Sequence, residues 1–127
     1  METPVQLPII NLNNMDLITN MVNHNFTITR GDSLSFNITF EDAEIAPDNI
    51  IFTVKDNVNS QTAVITKSLQ AATITRTSDE GFVYNIYLPY TDTDDLKYLN
   101  YIYQIEAIFG ADHDTCVEGK LIITQEV

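Results

Sequence analysis

Tryptophan is absent from this sequence, cysteine occurs once, and glycine and proline occur four times each. The single thiol, Cys116, excludes an intrachain disulfide, so the fold has to rest on its apolar core. The glycines stand at 31, 81, 110 and 119, too far apart for a phosphate-cradling loop. Cations are scarce as well: six Lys and Arg face 18 Asp and Glu, a net charge of -12 and a pI near 4.1. A protein that tracks nucleic-acid phosphates needs clustered cations, and an anionic membrane surface calls for the same. Six basic residues scattered from Arg30 to Lys120 supply neither, so nucleic acid and membrane are not expected partners. No apolar run reaches the roughly 18–20 residues of a transmembrane helix. No basic region followed by an apolar stretch opens the chain, so no signal peptide is expected.

What is present suits a globular domain. The 127 residues match one domain of roughly 100–150 residues. Hydrophobic residues make up 44% and charged ones only 19%, so the acidity reflects missing bases more than surplus acids. That balance argues against disorder over the main body.

From Phe26 onward the pattern has period two. Leu34, Phe36, Ile38 and Phe40 alternate with Ser35, Asn37 and Thr39, which places apolar groups on one strand face. The same holds for Ile50, Phe52 and Val54, for Phe82, Tyr84, Ile86 and Leu88, and for Tyr101, Tyr103, Ile105, Ala107 and Phe109. Val117, Leu121 and Ile123 form a last face, and weaker strands are expected at 63–69 and 72–77. Turn residues separate these runs, at Arg30-Gly31-Asp32, Ala46 to Asn49, Asp56-Asn57, Ser78 to Gly81 and Gly110 to Asp112. Strands spaced this way, without an amphipathic helix, predict an all-β, immunoglobulin-like antiparallel sandwich of about seven or eight strands. Tyr101 and Tyr103 fit the tyrosine-corner position of such a sandwich, and Phe52 stands where antibody domains carry a core Trp. One helical turn is expected over Thr91 to Leu96, capped by Thr91 or Asp92. Ile51, Ile102, Ile108 and Ile122 fall on otherwise polar outer faces, where scattered surface apolars and a covered interface are both open readings.

Residues 1–25 differ in texture. They hold no Lys or Arg, show no alternation, and carry Val5, Leu7, Ile9, Ile10 and Leu12 without compensating charge. They are expected to form an N-terminal arm, with residues 26–127 as the sandwich. The arm's five apolar residues, together with Tyr87, Tyr90 and Tyr98 near one end of the sandwich, are the candidate interface.

A search for chemistry finds little. Cys116 beside His113 or His24 lacks an orienting partner, and an ordinary strand cysteine is the simpler reading. Asp112-His113-Asp114 reads as a hairpin turn. Asp92, Asp94 and Asp95 lack the glycine and the distal glutamate of a calcium loop. Two histidines and one cysteine make a four-ligand zinc site improbable. Arg30-Gly31-Asp32 is explained as a turn, and the acceptor patterns at Asn25 and Asn37 are expected to be accidents of composition. No catalytic residue, cofactor or metal is expected.

Four motifs in order carry a family resemblance: Phe26 to Phe36, Phe52 to Asp56, Leu88 through Tyr101-Ile102-Tyr103-Gln104-Ile105-Glu106, and Gly119 to Val127. Over residues 26–127 the chain resembles small bacteriophage tail and baseplate proteins, including the N-terminal domain of baseplate upper proteins. Asn100 replaces a usual glycine, Gln104 a usual aspartate, and Leu99 adds an apolar group beside them. The resemblance implies a β-sandwich without catalytic residues that attaches one virion part to another. It implies location in the virion, with other virion proteins and copies of itself as partners. A capsid-decorating protein and a module that binds host glycan remain alternatives.

Overall fold

In a computed structural model the chain is an immunoglobulin-like all-β sandwich. The structure describes residues 9–12, 22–41, 45–57, 59–77, 81–97 and 99–125. One sheet has four strands in the order β1 (Ile9–Leu12), β4 (Leu34–Phe40), β8 (Val83–Leu88) and β7 (Ile74–Arg76). In the other, β2 (Val22–Asn23) and β3 (Phe26–Thr29) lie in succession along one edge of β10 (Asp112–Thr124). Then follow β9 (Asn100–Phe109), β5 (Asn49–Lys55) and β6 (Ile65–Ser68). From β4 onward every described pairing is antiparallel, while β1, β2 and β3 run parallel to their neighbours.

The alternating runs form the strands expected of them. β4 alternates buried and half-buried residues without a break, and Tyr101, Tyr103, Ile105 and Ala107 of β9 all point inward. At the centre, Phe26, Phe36, Phe52 and Tyr103 pack as one aromatic cluster, with ring centroids 4.5 Å (Phe26–Phe36) to 6.0 Å (Phe36–Phe52) apart. Phe52 fills the position of the missing Trp between the sheets. Tyr101 makes the tyrosine corner, its Oη accepting from the Lys97 amide at 2.9 Å. Tyr103, two residues on, occupies the place of the strand cysteine, so an aromatic cluster holds the sheets where antibody domains use a disulfide.

β10 breaks the period once. Between Thr115, opposite Glu106, and Val117, opposite Ile105, the register shifts by one residue. Cys116 and Val117 therefore both face inward, as a β-bulge requires. Asn49 is a buried polar residue whose Oδ1 accepts from the amides of Ile50 (2.9 Å) and Gln70 (3.0 Å), fastening the connection that carries the chain from β6 toward β7.

Four expectations are corrected. The boundary at residue 25 does not separate an arm from the sandwich: β1 and β2 lie before it and belong to the two sheets. Ile10 and Leu12, expected at an interface, are buried in the chain's own core, because β1 pairs with β4 and turns both toward the interior. Ile9 shares that pairing through its backbone, opposite Asn37. The helical turn, α1, spans Tyr90–Thr93 with Pro89 at its N-cap and no side-chain cap. Proline fixes the extended entry there, and Asp92 falls inside the first turn instead of capping it. Finally, Asp112, His113 and Asp114 are strand residues, since the β9–β10 turn is made by Gly110 and Ala111. Val5, Leu7, Tyr98 and residues 13–21 of the expected arm lie outside the described residues.

Candidate interaction face

The two sheets present unlike outer faces. On the four-stranded sheet the outward positions of β4 are Ser35, Asn37 and Thr39. Asn85 of β8 ties them together, its Nδ2 donating to Ser35 Oγ (2.9 Å) and Asn37 Oδ1 (3.0 Å). On the larger sheet the outward positions carry Ile51, Ile102, Ile108 and Ile122, all half-buried, within a polar frame.

Strand register lays that frame out in rows. Lys55, Ile102 and Lys120 form one row across β5, β9 and β10. Thr53, Gln104 and Glu118 form the next, and Ile51, Glu106 and Thr115 the one beyond. His113 Nδ1 lies 3.2 Å from Glu106 Oε1 at the far end. Shallow depressions of about 60 Å³ and 430 Å³ flank Ile102 and Gln104, one reaching Lys55 and the other Lys120.

One edge of this face depends on a close approach. Between β2 and β3 the chain kinks at His24 and Asn25, and the His24 carbonyl presses on Gly119. A Cβ at 119 would collide with that carbonyl, so glycine is required. The same carbonyl accepts from Tyr103 Oη at 2.6 Å, and Asn25 Oδ1 accepts from the Lys120 amide at 2.8 Å. Burial pushes the Tyr103 phenol well above its ordinary pKa, which keeps it a donor. Alternation alone does not signal this fastening; Gly119, a glycine in a strand interior between Glu118 and Lys120, was its available mark.

The expected tyrosines divide. Tyr84, Tyr101 and Tyr103 are core. Tyr87 and Tyr90 are exposed, at 49% and 60%. Tyr87 lines an open groove of about 370 Å³ with Lys67, Thr73, Thr75, Asn85 and Pro89, which Tyr90 does not reach. A second open cleft, about 520 Å³, lies at the end of the sandwich beside α1, between Asp56, Val64, Asp95, Leu96 and Leu99. Asp92 borders it and pairs with Lys67 at 2.8 Å.

Thiol and imidazoles do not converge. Cys116 Sγ is buried and donates to the Ile105 carbonyl at 3.3 Å, whereas His113 stands on the outer surface and His24 packs edge-on against Phe26. Among the described residues no three His, Cys, Asp or Glu side chains gather in metal-binding geometry. Asn25 and Asn37, the glycosylation-like positions, use their side chains to accept hydrogen bonds within the sandwich. Arg30-Gly31-Asp32 is a tight turn, with Gly31 at φ 88° and the Asp32 amide donating to Thr29 O at 3.0 Å. Among the described residues no helix is long and apolar enough to cross a membrane.

No protein-family profile and no curated protein matches the chain. Among solved structures it is similar to the extracellular domain of the voltage-gated sodium channel β4 subunit, described as a parallel homodimer with a role in cell–cell adhesion. The identity is 11%, over 83% of this chain and 93% of that one, with a TM-score of 0.42. A structure from work on the cell-adhesive interactions of sodium-channel β subunits is similar at 15% identity, over 82% and 92%, with a TM-score of 0.40. Likeness at this level carries no argument. The strand order and pairing define the class: an immunoglobulin-like sandwich with two sheets and an N-terminal segment shared between them.

Proposed function

We propose that this chain is a non-enzymatic structural component of a bacteriophage virion, a module that joins neighbouring proteins in the tail, baseplate or fibre region. The observation that carries the joining role is the outer face of the larger sheet. Ile51, Ile102, Ile108 and Ile122 stand there on outward positions that β4 of the opposite sheet gives to Ser35, Asn37 and Thr39. Apolar groups rimmed by polar ones are the composition of a protein contact. The resemblance of residues 26–127 to tail and baseplate proteins supports the setting. The net charge of -12 fits a protein that stays soluble before assembly and then meets a basic or cation-bridged surface.

The test is mass spectrometry of purified particles from a phage that encodes the chain, together with a null mutant. Fixed stoichiometry in the tail and a tail or attachment defect in the mutant are expected. Absence from purified particles would overturn the virion reading, and incorporation that ignores ionic strength would remove the charge argument. A second reading, host-glycan recognition, is favoured by Tyr87, whose exposed ring borders a groove with Asn85, Thr73 and Thr75. A glycan array without signal above background would end it.

A further inference from the structure

We infer that the outer face of the larger sheet is a self-complementary contact between two copies of this chain, related by a two-fold axis running across the strands at Gln104. This rests on taking that face as a protein interface, and it names the partner. The first support is charge. The chain repels its own copies at -12, but the outward positions of β5, β9 and β10 balance Lys55 and Lys120 against Glu106 and Glu118. Copies can therefore meet here without the repulsion that acts elsewhere.

The second support is the order of the charges along the strands. Both lysines lie in the Ile102 row, and Glu106 lies two rows away, on the other side of Gln104. Rows are about 7 Å apart, so a half-turn about an axis through the Gln104 row exchanges the two. Glu106 of one copy then stands over Ile102 of the other, between Lys55 and Lys120, and symmetry makes the contact twice. The Lys55 stem covers Ile51 of the second copy. A two-fold axis along β9 would instead set Lys55 against Lys120, so the charge order selects one orientation.

The third support is size. The strands of this sheet, at about 3.3 Å per residue and about 4.8 Å apart, cover about 630 Å² per copy, at the small end of specific interfaces. Glu118 is the exception to complementarity, because it falls near its own counterpart beside the axis.

Sedimentation velocity of the full chain over a concentration series, at low and at physiological salt, tests the inference. The expected result is a dimer that loosens as salt rises. Lys55→Glu with Lys120→Glu should weaken it by about tenfold or more, adding Glu106→Lys should restore it, and Glu118→Gln alone should tighten it. Circular dichroism on each variant checks that these surface changes leave the sandwich folded. A wild-type chain that stays monomeric at every concentration, or a triple variant that fails to regain the double variant's loss, overturns the inference. Incorporation of the same variants into phage particles separates the two readings. If the chain is monomeric yet Lys55→Glu with Lys120→Glu is excluded from particles, the face contacts another protein and only the self-association fails.

Discussion

The strands after residue 34 and the three before it are held in different ways. The later strands are antiparallel, and their buried side chains meet across the aromatic cluster at the centre. The earlier three lie parallel along sheet edges and divide between the two sheets. Side-chain packing anchors β1 through Ile10 and Leu12, whereas β2 and β3 depend on Phe26 and on hydrogen bonds from Tyr103, Lys120 and His24. Edge strands with few neighbours are the first to open locally. The body is therefore expected to unfold as one unit, and the N-terminal strands to loosen before it.

Four substitutions probe that difference, beginning with the largest effect. Phe52→Ala removes the ring between the sheets and should cost about 3–5 kcal/mol in urea unfolding, with every strand losing stability together. Leu12→Ala should cost about 2–5 kcal/mol, but hydrogen exchange should show β1 losing protection while β9 keeps it. Equal loss in both strands would mean that β1 belongs to the cooperative body. Gly119→Ala forces the His24 carbonyl away and should cost about 1–3 kcal/mol, with exchange rising in β2 and β3.

The smallest effect is expected from Tyr103→Phe, about 1–1.5 kcal/mol, because one buried hydrogen bond is lost while the ring remains. It also carries a pH signature. Burial raises the Tyr103 pKa above its ordinary 10.0, so the folded chain keeps a proton that the unfolded chain releases. Stability from this group is present in full below pH 10 and declines as pH rises beyond it. Tyr84 is shifted the same way by burial, against an opposing effect from Arg76. Alkaline titration of the wild type should show a steeper loss of stability above pH 10 than titration of Tyr103→Phe.

The same division governs what could be read in advance. β4, β5, β8 and β9 follow from alternation, because a strand buried on one face must repeat every second residue. The tyrosine corner and the role of Phe52 follow from spacing. β1 was hidden because Ile9-Ile10-Asn11-Leu12 alternates over three residues only, too few for a periodic signal, and its partner lies 28 positions later, at Asn37 to Phe40. β2 is two residues long, below any periodic signal. The shift at Cys116 interrupts the period of β10, and Pro89, outside the expected helix, sets where α1 begins. The outer-face isoleucines were visible as a surplus, but their arrangement in rows with Lys55, Lys120 and Glu106 needs the register of three strands.

The bulge at Cys116 has a practical consequence. It turns the chain's single thiol inward, where its relative exposure is 0%. A thiol-reactive dye can modify it only when β9 and β10 part, so the labelling rate becomes a clock for the opening of that hairpin. Read with and without saturating denaturant, that clock times the breathing of the sandwich without an added tag or an engineered cysteine.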